Sequence, residues 1–282
     1  MEGDVTMREA SRRAFLSAVA SSGLALAGCS MPSESTRTPT DSPSPITAVE
    51  VTRQAVVVDL RADADVSELS LIGPDGEAVS STTVAAGETQ VTLPILEVNP
   101  EITGYEHYTP GEHELVAITE AGEVSRTLPL QPQISIEFVE QYRNGSSSQD
   151  LGRVMVILRN QGTGPTWAYD ITFNQAPNYS ANTDLTENIG LPYVETPSEV
   201  SSVQIPPDAT RRYISQFAPL ILPEDEYDCN GDVANFSMRV GIASGTVLNA
   251  DLSASFEGKK EPADITGNVV CNETTVTTQE VE

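Results

Sequence analysis

The amino-acid sequence predicts an all-β protein whose folded part consists of two β-sandwich domains. Apolar and polar residues alternate along most of the chain after residue 46, a period of two that is typical of strands with one buried face. Gly, Pro, Asp and Thr cluster between the alternating stretches, at the short intervals that the turns of a sandwich or barrel require. We find no helix-length apolar stripe after residue 46. We therefore predict a small sandwich at 46–131 and a larger one at 132–282.

In the first predicted domain the alternating segments are short. Strands are predicted at 55–60, 69–72, 89–93 and 114–119. The intervening segments at 73–76, 109–111 and 120–123 contain Pro, which presets φ, or Gly, which accepts positive φ. Residues 128–133 include two prolines and mark the predicted domain boundary.

The second predicted domain has longer strands. A first strand alternates Ile134, Ile136 and Phe138 with polar residues. One face of a later strand is predicted to carry Trp167, Tyr169, Ile171 and Phe173. Apolar residues at every second position predict two further strands, at 236–242 and 248–256.

A turn with Asn160, Gly162, Gly164 and Pro165 lies between two predicted strands in the segment 154–171. This segment resembles a signature of immunoglobulin-like adhesion modules of extracytoplasmic proteins. The resemblance implies that the sandwiches are immunoglobulin-like, and most members of that class bind or space other molecules without catalysing a reaction. A fold alone does not fix a function.

The first 28 residues have the organisation of an export signal. Arg12 and Arg13 precede an uncharged apolar stretch that ends immediately before Cys29. This stretch is shorter than the roughly 20 residues that a membrane-spanning helix needs. The residues resemble a twin-arginine signal joined to a lipoprotein cleavage site, which implies cleavage after residue 28 and a lipid on Cys29. The alternative is a buried amphipathic helix in which Cys29 only fills apolar space.

Residues 29–45 form a predicted linker rich in Ser, Thr and Pro. Pro favours extended, polyproline-like conformations, and such segments are typical of O-glycosylated stalks. With a lipid on Cys29, the linker would hold the domains away from the extracytoplasmic face of the cell membrane.

The chain is strongly acidic, with 41 Asp and Glu residues, 15 Lys and Arg residues and a net charge of −26. This charge excludes nucleic acid and anionic membrane surfaces as electrostatic partners. Lys259 and Lys260 are the only lysines, and this composition resembles that of proteins from salt-loving archaea. Like charges destabilise a compact fold unless salt screens them, and the Debye length falls to about 3 Å at 1 M. The alternative is an acidic surface protein that does not require salt.

Once Cys29 is assigned to the lipid, Cys229 and Cys271 remain. In an exported chain they are predicted to form a disulfide, stabilising the fold by about 4 kcal/mol on a chain-entropy estimate. The alternative is two reduced, buried thiols. Four sequons are candidates for N-glycosylation: Asn144, Asn178, Asn235 and Asn272.

The residues that support acid-base and nucleophilic chemistry near neutral pH are scarce. His107 and His113 are the only histidines, and both precede Cys229, which disfavours a blue-copper centre. The sequence contains no Gly-x-Ser-x-Gly elbow, no His-Glu-x-x-His helix and no Gly-rich phosphate loop followed by Lys. A serine hydrolase would need one histidine to meet a Ser and a carboxylate, and a glycosidase would need two carboxylates about 5 to 10 Å apart. We predict that the chain is not an enzyme.

An acidic segment around Gly231 is a weak candidate for calcium binding. Its oxygen ligands would come from Glu226, Asp228, Asn230 and Asp232. The spacing departs from an EF-hand, because Ser237 stands where the bidentate acid belongs. In a chain this acidic, such a run is more typical of a solvated surface, and no other cofactor is expected. Trp167 and Tyr169 are of a type that stacks on sugars, but their alternation with polar residues indicates core positions.

These observations favour a non-enzymatic, lipid-anchored, extracytoplasmic binding or structural module of a halophile cell surface, with an unidentified protein or glycan partner. The first alternative is an accessory subunit of a membrane-bound transport or redox complex, for which a large apolar face would be the sign. The second is a surface hydrolase. An exposed aromatic or apolar patch would strengthen the leading hypothesis.

Overall fold

The structure is a computed structural model that describes residues 44–99, 104–143, 150–181, 183–186, 193–197, 202–223, 225–263 and 267–279. All of them belong to one compact unit, residues 43–282. The predicted signal with Arg12 and Arg13, the lipidation site Cys29, almost all of the linker and the sequon at Asn144 lie outside the described residues. The described ranges contain no α-helix, and hence no helix long and apolar enough to cross a membrane.

Short antiparallel strands form the first half of the described chain. They are β1 (Ile46–Val51), β2 (Ala55–Leu60), β3 (Val66–Ile72), β4 (Ala78–Thr83), β5 (Gln90–Pro94), β6 (Leu96–Asn99), β7 (Gly104–His107), β8 (Gly111–Thr119) and β9 (Gly122–Leu130). One sheet has the order β1-β2-β5 and a second the order β4-β3-β8-β9, while β6 pairs with β7. The predicted strand at 55–60 coincides with β2, and those at 69–72 and 114–119 lie within β3 and β8. The predicted strand at 89–93 overlaps β5 but begins one residue before it.

Longer strands dominate the second half. They are β10 (Ile134–Gln141), β11 (Val154–Asn160), β12 (Ala168–Asn174), β13 (Val194–Glu195), β14 (Thr210–Ser215), β15 (Leu222–Pro223), β16 (Asp232–Ile242), β17 (Val247–Pro262) and β18 (Asn268–Gln279). Their sheets have the orders β10-β11-β14-β13 and β12-β16-β17-β18-β15. The antiparallel ladder β16-β17-β18 spans the large sheet.

Each pair of facing sheets encloses an apolar core. The first core joins residues of β2 and β5, such as Val58 and Leu93, to residues of β3 and β8, such as Leu71 and Leu115. The second core joins β11 and β14 to β12, β16 and β17 in the same way. Two sheets that bury their inner faces against each other form a sandwich. The predicted all-β sandwich class is confirmed, and the boundary at 131 and 132 stays a prediction.

Strand β12 departs from the predicted alternation. A β-bulge between Ala168 and Asp170 interrupts its pairing with β16, and the extra residue reverses the side to which the following side chains point. Trp167 and Tyr169 therefore pack in the first core, whereas Ile171 and Phe173 pack in the second. The prediction that all four share one face was wrong.

A second bulge has a similar effect in β10. The register shifts between Ile136 and Phe138 where β10 pairs with β11. As a result Phe138 is 50% exposed, and Val139 is buried instead. The predicted inward alternation of Ile134, Ile136 and Phe138 was wrong for Phe138.

Candidate functional site

The turn between β11 and the start of β12 docks onto the segment that connects the two cores. The Thr163 N–H donates to the carbonyl oxygen of Gln131 at 2.9 Å, and the Gln161 N–H donates to that of Gln133 at 2.8 Å. Inside the turn, Asn160 Nδ2 donates to the Gly164 carbonyl at 2.8 Å. The connecting segment is thus hydrogen-bonded along its length to the second sandwich.

The two glycines of this turn are required by the close approach of main chains. A Cβ atom at position 162 would collide with the carbonyl oxygen of Gln131, and one at position 164 would collide with the hydroxyl of Tyr108. Neither glycine has a positive φ, so space and not backbone conformation explains their presence. The motif that resembles an adhesion-module signature serves here as the joint between the sandwiches.

His107 is part of the same joint. Its Nδ1–H donates to the Tyr108 carbonyl at 2.6 Å, so Nε2 is the acceptor for the Thr166 hydroxyl at 3.0 Å. The imidazole centroid lies 5.2 Å from that of Trp167, and the Tyr108 hydroxyl donates to the Pro165 carbonyl at 2.8 Å. Burial lowers the pKa of His107 to about 4, and the hydrogen bond to the Tyr108 carbonyl, which raises the pKa, only partly offsets this effect. The imidazole is therefore neutral at neutral pH.

His113 is buried in β8, with 1% of its surface exposed. Its Nδ1 lies 3.1 Å from the Gly111 carbonyl oxygen, and its ring meets Tyr108 edge to face. Burial lowers its pKa. In the part of the chain that the structure describes, His113 makes no hydrogen bond to a Ser or an Asp, which is the arrangement that the hydrolase alternative requires.

Thr166, the hydroxyl partner of His107, has no exposed surface. A nucleophile must reach a substrate, so this pair cannot act as a catalytic dyad without opening the joint. The geometry gives both histidines a packing role.

A groove of about 650 Å³ opens beside His107. Acidic side chains of Asp75, Glu77 and Glu106 line it, and its apolar wall includes Ile95 and Leu96. The groove presents carboxylate acceptors next to an apolar surface. Over the described ranges, no set of three or more His, Cys, Asp or Glu side chains is placed to hold a metal ion.

The carboxylates of the calcium candidate are engaged by protein donors. Asp232 Oδ2 accepts the main-chain N–H of Asp228 at 2.7 Å. Asp228 in turn accepts from Asn230 Nδ2 at 3.0 Å and lies 3.7 Å from Lys260 Nζ. Glu226 is exposed. Calcium binding stays a prediction, and the local hydrogen bonds explain the conformation of this turn without a metal.

Cys229 and Cys271 form the predicted disulfide. They are 42 positions apart, and both are buried in the second core. The disulfide links the turn that precedes β16 to strand β18, inside the second core. The described residues of the first sandwich contain no disulfide.

Three of the four sequons lie in described segments. Asn178 and Asn235 are exposed, whereas Asn272 is partly buried and its Oδ1 accepts the Lys259 N–H at 2.7 Å. Glycosylation stays a prediction at all of them.

The exposed aromatic side chains are not those that the sequence singled out. Trp167 and Tyr169 are 0% and 3% exposed, so neither is available to stack on a sugar. Instead, Tyr179, Tyr193 and Phe217 come together at the surface of the second sandwich. They lie in connecting segments, where no alternation identifies a buried face. An aromatic residue flanked by Asn and Ser, as Tyr179 is, was the available signal.

Comparisons with known proteins give little further guidance. No protein-family model matches the chain, and a comparison with curated proteins finds no match. Among solved structures, the chain is similar to one described as "Biofilm associated protein - BSP domain", with 13% sequence identity and a TM-score of 0.24. The alignment covers 77% of this chain and 30% of that chain, so this protein spans less than two thirds of that structure's length.

Proposed function

We propose that this chain is a non-enzymatic, lipid-anchored binding or structural module on the extracytoplasmic face of a halophile's cell membrane. The observation that carries the proposal is the use of both histidines in packing. They are the side chains best suited to proton transfer near neutral pH, and His107 and His113 are committed to main-chain acceptors and aromatic neighbours around Tyr108. The lack of catalysis is part of the proposal.

The organisation of the chain supports display at a surface. Strand β1 begins at Ile46, directly after the Ser/Thr/Pro-rich segment that follows Cys29. As a flexible coil this linker would hold the body roughly 20 to 25 Å from an anchored Cys29. The docked turn at residues 160–165 and the disulfide make the body suitable for transmitting a contact from a partner to the anchor.

The charge supports a saline environment. Because 15 basic residues cannot pair with 41 acidic ones, most carboxylates are surrounded by like charge. Their mutual repulsion falls as salt shortens the Debye length.

The test uses full-length chain expressed in a halophilic host and fractionated into membrane and soluble material. We expect mature protein that begins at a lipid-modified Cys29, detected by mass spectrometry, in the membrane fraction. Cys29→Ser should release the chain or leave the signal uncut, whereas the neighbouring control Ser30→Ala should behave like the wild type. An unmodified Cys29 in a chain that still begins at Met1 would contradict the proposal.

The mature protein, extracted with detergent from that membrane fraction, also tests whether the chain is adapted to high salt. We expect its melting temperature to fall as salt is lowered from molar to millimolar concentration. An unchanged melting temperature would contradict the electrostatic argument. Stoichiometric copurification with transport or redox subunits at high salt would favour the accessory-subunit alternative instead.

A further inference from the structure

Three aromatic rings form a cluster at the surface of the second sandwich, which we call the aromatic cluster: Tyr179, Tyr193 and Phe217. The rings of Tyr179 and Phe217 are stacked, with centroids 4.0 Å apart and an interplanar angle of 14°. The Tyr193 ring is tilted by 56° against Phe217 at 6.0 Å. Tyr193 is 55% exposed and the other two rings are partly exposed. The cluster therefore presents ring surface to solvent.

Hydrogen bonds to main-chain carbonyl oxygens hold the three segments that carry these rings. The Ser215 hydroxyl donates to the Phe217 carbonyl at 2.6 Å. The Tyr193 N–H donates to the carbonyl of Tyr169 in β12 at 2.5 Å. The loop of Tyr179 is closed by the bond from the Ala181 N–H to the Phe173 carbonyl at 2.8 Å. The main chain that carries the rings is thus held in place before any ligand arrives, which lowers the entropy cost of binding.

Asn178 connects this cluster to a sequon. It is exposed, and with Tyr179 and Ser180 it forms the acceptor sequence for N-glycosylation. Its Nδ2 donates to the carbonyl oxygen of Ala218 at 3.2 Å, and Ala218 directly follows Phe217. The Nδ2 atom that would carry a glycan therefore contacts the segment of Phe217, and Asn178 directly precedes Tyr179 in the sequence.

We propose that Asn178 is glycosylated and that the aromatic cluster holds the first sugar rings of this glycan. The proposal rests on the export of the chain proposed above. A separate glycosyltransferase would supply a glycan activated as a lipid-linked phosphate ester. Asn178 Nδ2 forms the new bond to the anomeric carbon, the bond from that carbon to the phosphate oxygen breaks, the lipid phosphate leaves, and a base on the transferase takes the Nδ2 proton. The hydrogen that remains on Nδ2 can keep the bond to Ala218.

A sugar fits the chemistry of this surface. The face of an aromatic ring is electron-rich and attracts the C–H groups of a pyranose, while tyrosine hydroxyls offer hydrogen bonds at the rim. A protein partner would need about 800 Å² from each side, far more than the exposed parts of three rings provide. Since Asn178 directly precedes Tyr179 and its Nδ2 donates to Ala218, the residue after Phe217, a glycan attached there is present at high effective concentration near the rings, which favours it over free sugars.

The other described sequons lack this arrangement. The aromatic residue in the sequon of Asn235 is Phe236, which is 4% exposed and belongs to the second core. Asn272 is partly buried and has no aromatic residue within its sequon. Asn235 is therefore the matched control site, because it is exposed but the aromatic residue of its own sequon is buried.

The experiment compares full-length chain from membranes of a glycosylating halophilic host with chain from the same host lacking its oligosaccharyltransferase, both at molar salt. Glycopeptide mass spectrometry should find Asn178 occupied. The glycan should raise the melting temperature by about 2 to 4 °C in the wild type, as a single aromatic contact would in a domain of this size. Tyr193→Ser should reduce this gain by at least half. The control Val233→Ser removes an equally exposed apolar side chain, 52% exposed and two residues from Asn235, and should retain the full gain.

Two results would overturn the inference while leaving the proposed function intact. The first is membrane-anchored chain in which Asn178 is unmodified. The second is an occupied Asn178 whose glycan gives the same gain in the wild type and in Tyr193→Ser, because the rings would then not contact the sugar. Nuclear magnetic resonance gives an independent measurement, since contact with the rings should shift protons of the first sugar upfield. Unanchored chain with no glycan at all would count against both proposals.

Discussion

The two sandwiches differ in how they complete their cores. Every described residue of the second core lies between Ile134 and Val276, after the nine strands of the first sandwich. The first core is completed by four buried side chains of the second half: Trp167, Tyr169, Leu185 and Ala243. The first sandwich therefore depends on the second for part of its apolar interior, and the reverse does not hold.

The difference follows from strand length and covalent links. The second sandwich contains strands of 11, 16 and 12 residues, β16 to β18, and a disulfide between Cys229 and Cys271. The strands of the first sandwich have at most nine residues. A small sandwich buries a smaller fraction of its surface and is marginal alone. Trp167 adds a large, fully buried side chain to the first core.

The largest expected effect comes from Trp167→Ala. Removing this fully buried ring should destabilise the protein by about 3 to 5 kcal/mol, because it leaves a cavity in the first core. Hydrogen exchange followed by mass spectrometry should show that amides of β2, β3 and β8 lose protection while those of β16 to β18 keep theirs.

Phe173→Ala is the matched control, since Phe173 lies in β12, the strand that Trp167 directly precedes, but packs in the second core. Its exchange pattern should be the opposite, with the loss beginning in the second sandwich. Equal loss of protection throughout the chain in both variants would show that the sandwiches unfold as one unit, and the asymmetry would be wrong.

A smaller effect on stability is expected when acid protonates His107 at the joint between the two sandwiches. His107 has a pKa of about 4 in the folded protein and about 6.5 when unfolded. Between these values the unfolded chain binds a proton that the folded chain does not, so this contribution to stability is complete above pH 6.5 and is lost as the pH falls to 4. The loss amounts to about 3 kcal/mol at most.

Protonation of the many carboxylates acts in the opposite direction, because it relieves repulsion. The measurement is therefore the difference between wild type and His107→Gln, which removes titration but keeps an amide donor and acceptor. Denaturant unfolding at several pH values should show that the wild type loses stability relative to the variant between pH 6.5 and 4. A constant difference across this range would mean that His107 is not buried in the folded joint.

The sequence predicted those parts of the fold that depend on neighbouring residues. The strand at 55–60 was predicted correctly because it is a short run of mostly apolar, β-branched residues flanked by polar ones. The roles of His107 and Trp167 were not predictable, since their contacts join residues far apart in sequence, such as His107 and Thr166. A histidine near Pro and Gly looks like a loop residue until the second sandwich covers it.

The aromatic cluster shows the same limit. Tyr179, Tyr193 and Phe217 come from three connecting segments, and no local pattern places them side by side. Conversely, Trp167 and Tyr169 have the spacing of residues on one strand face. The bulge in β12 leaves no clear sequence signal, and it places these two side chains in the first core while the residues that follow them pack in the second. Local periodicity predicts which residues are buried better than it predicts what they are buried against.

The smallest expected effect concerns the bulge in β10, which decides which residue of that strand contributes to the second core. Phe138→Ser should change stability by no more than about 0.5 kcal/mol, because half of the ring is already exposed to solvent. Val139→Ala should cost about 2 kcal/mol although it removes fewer atoms, since Val139 is buried in the second core. Denaturant unfolding of both variants tests this inversion. If Phe138→Ser were the more destabilising change, β10 would follow the unbroken alternation of its sequence, and Phe138 instead of Val139 would point into the second core.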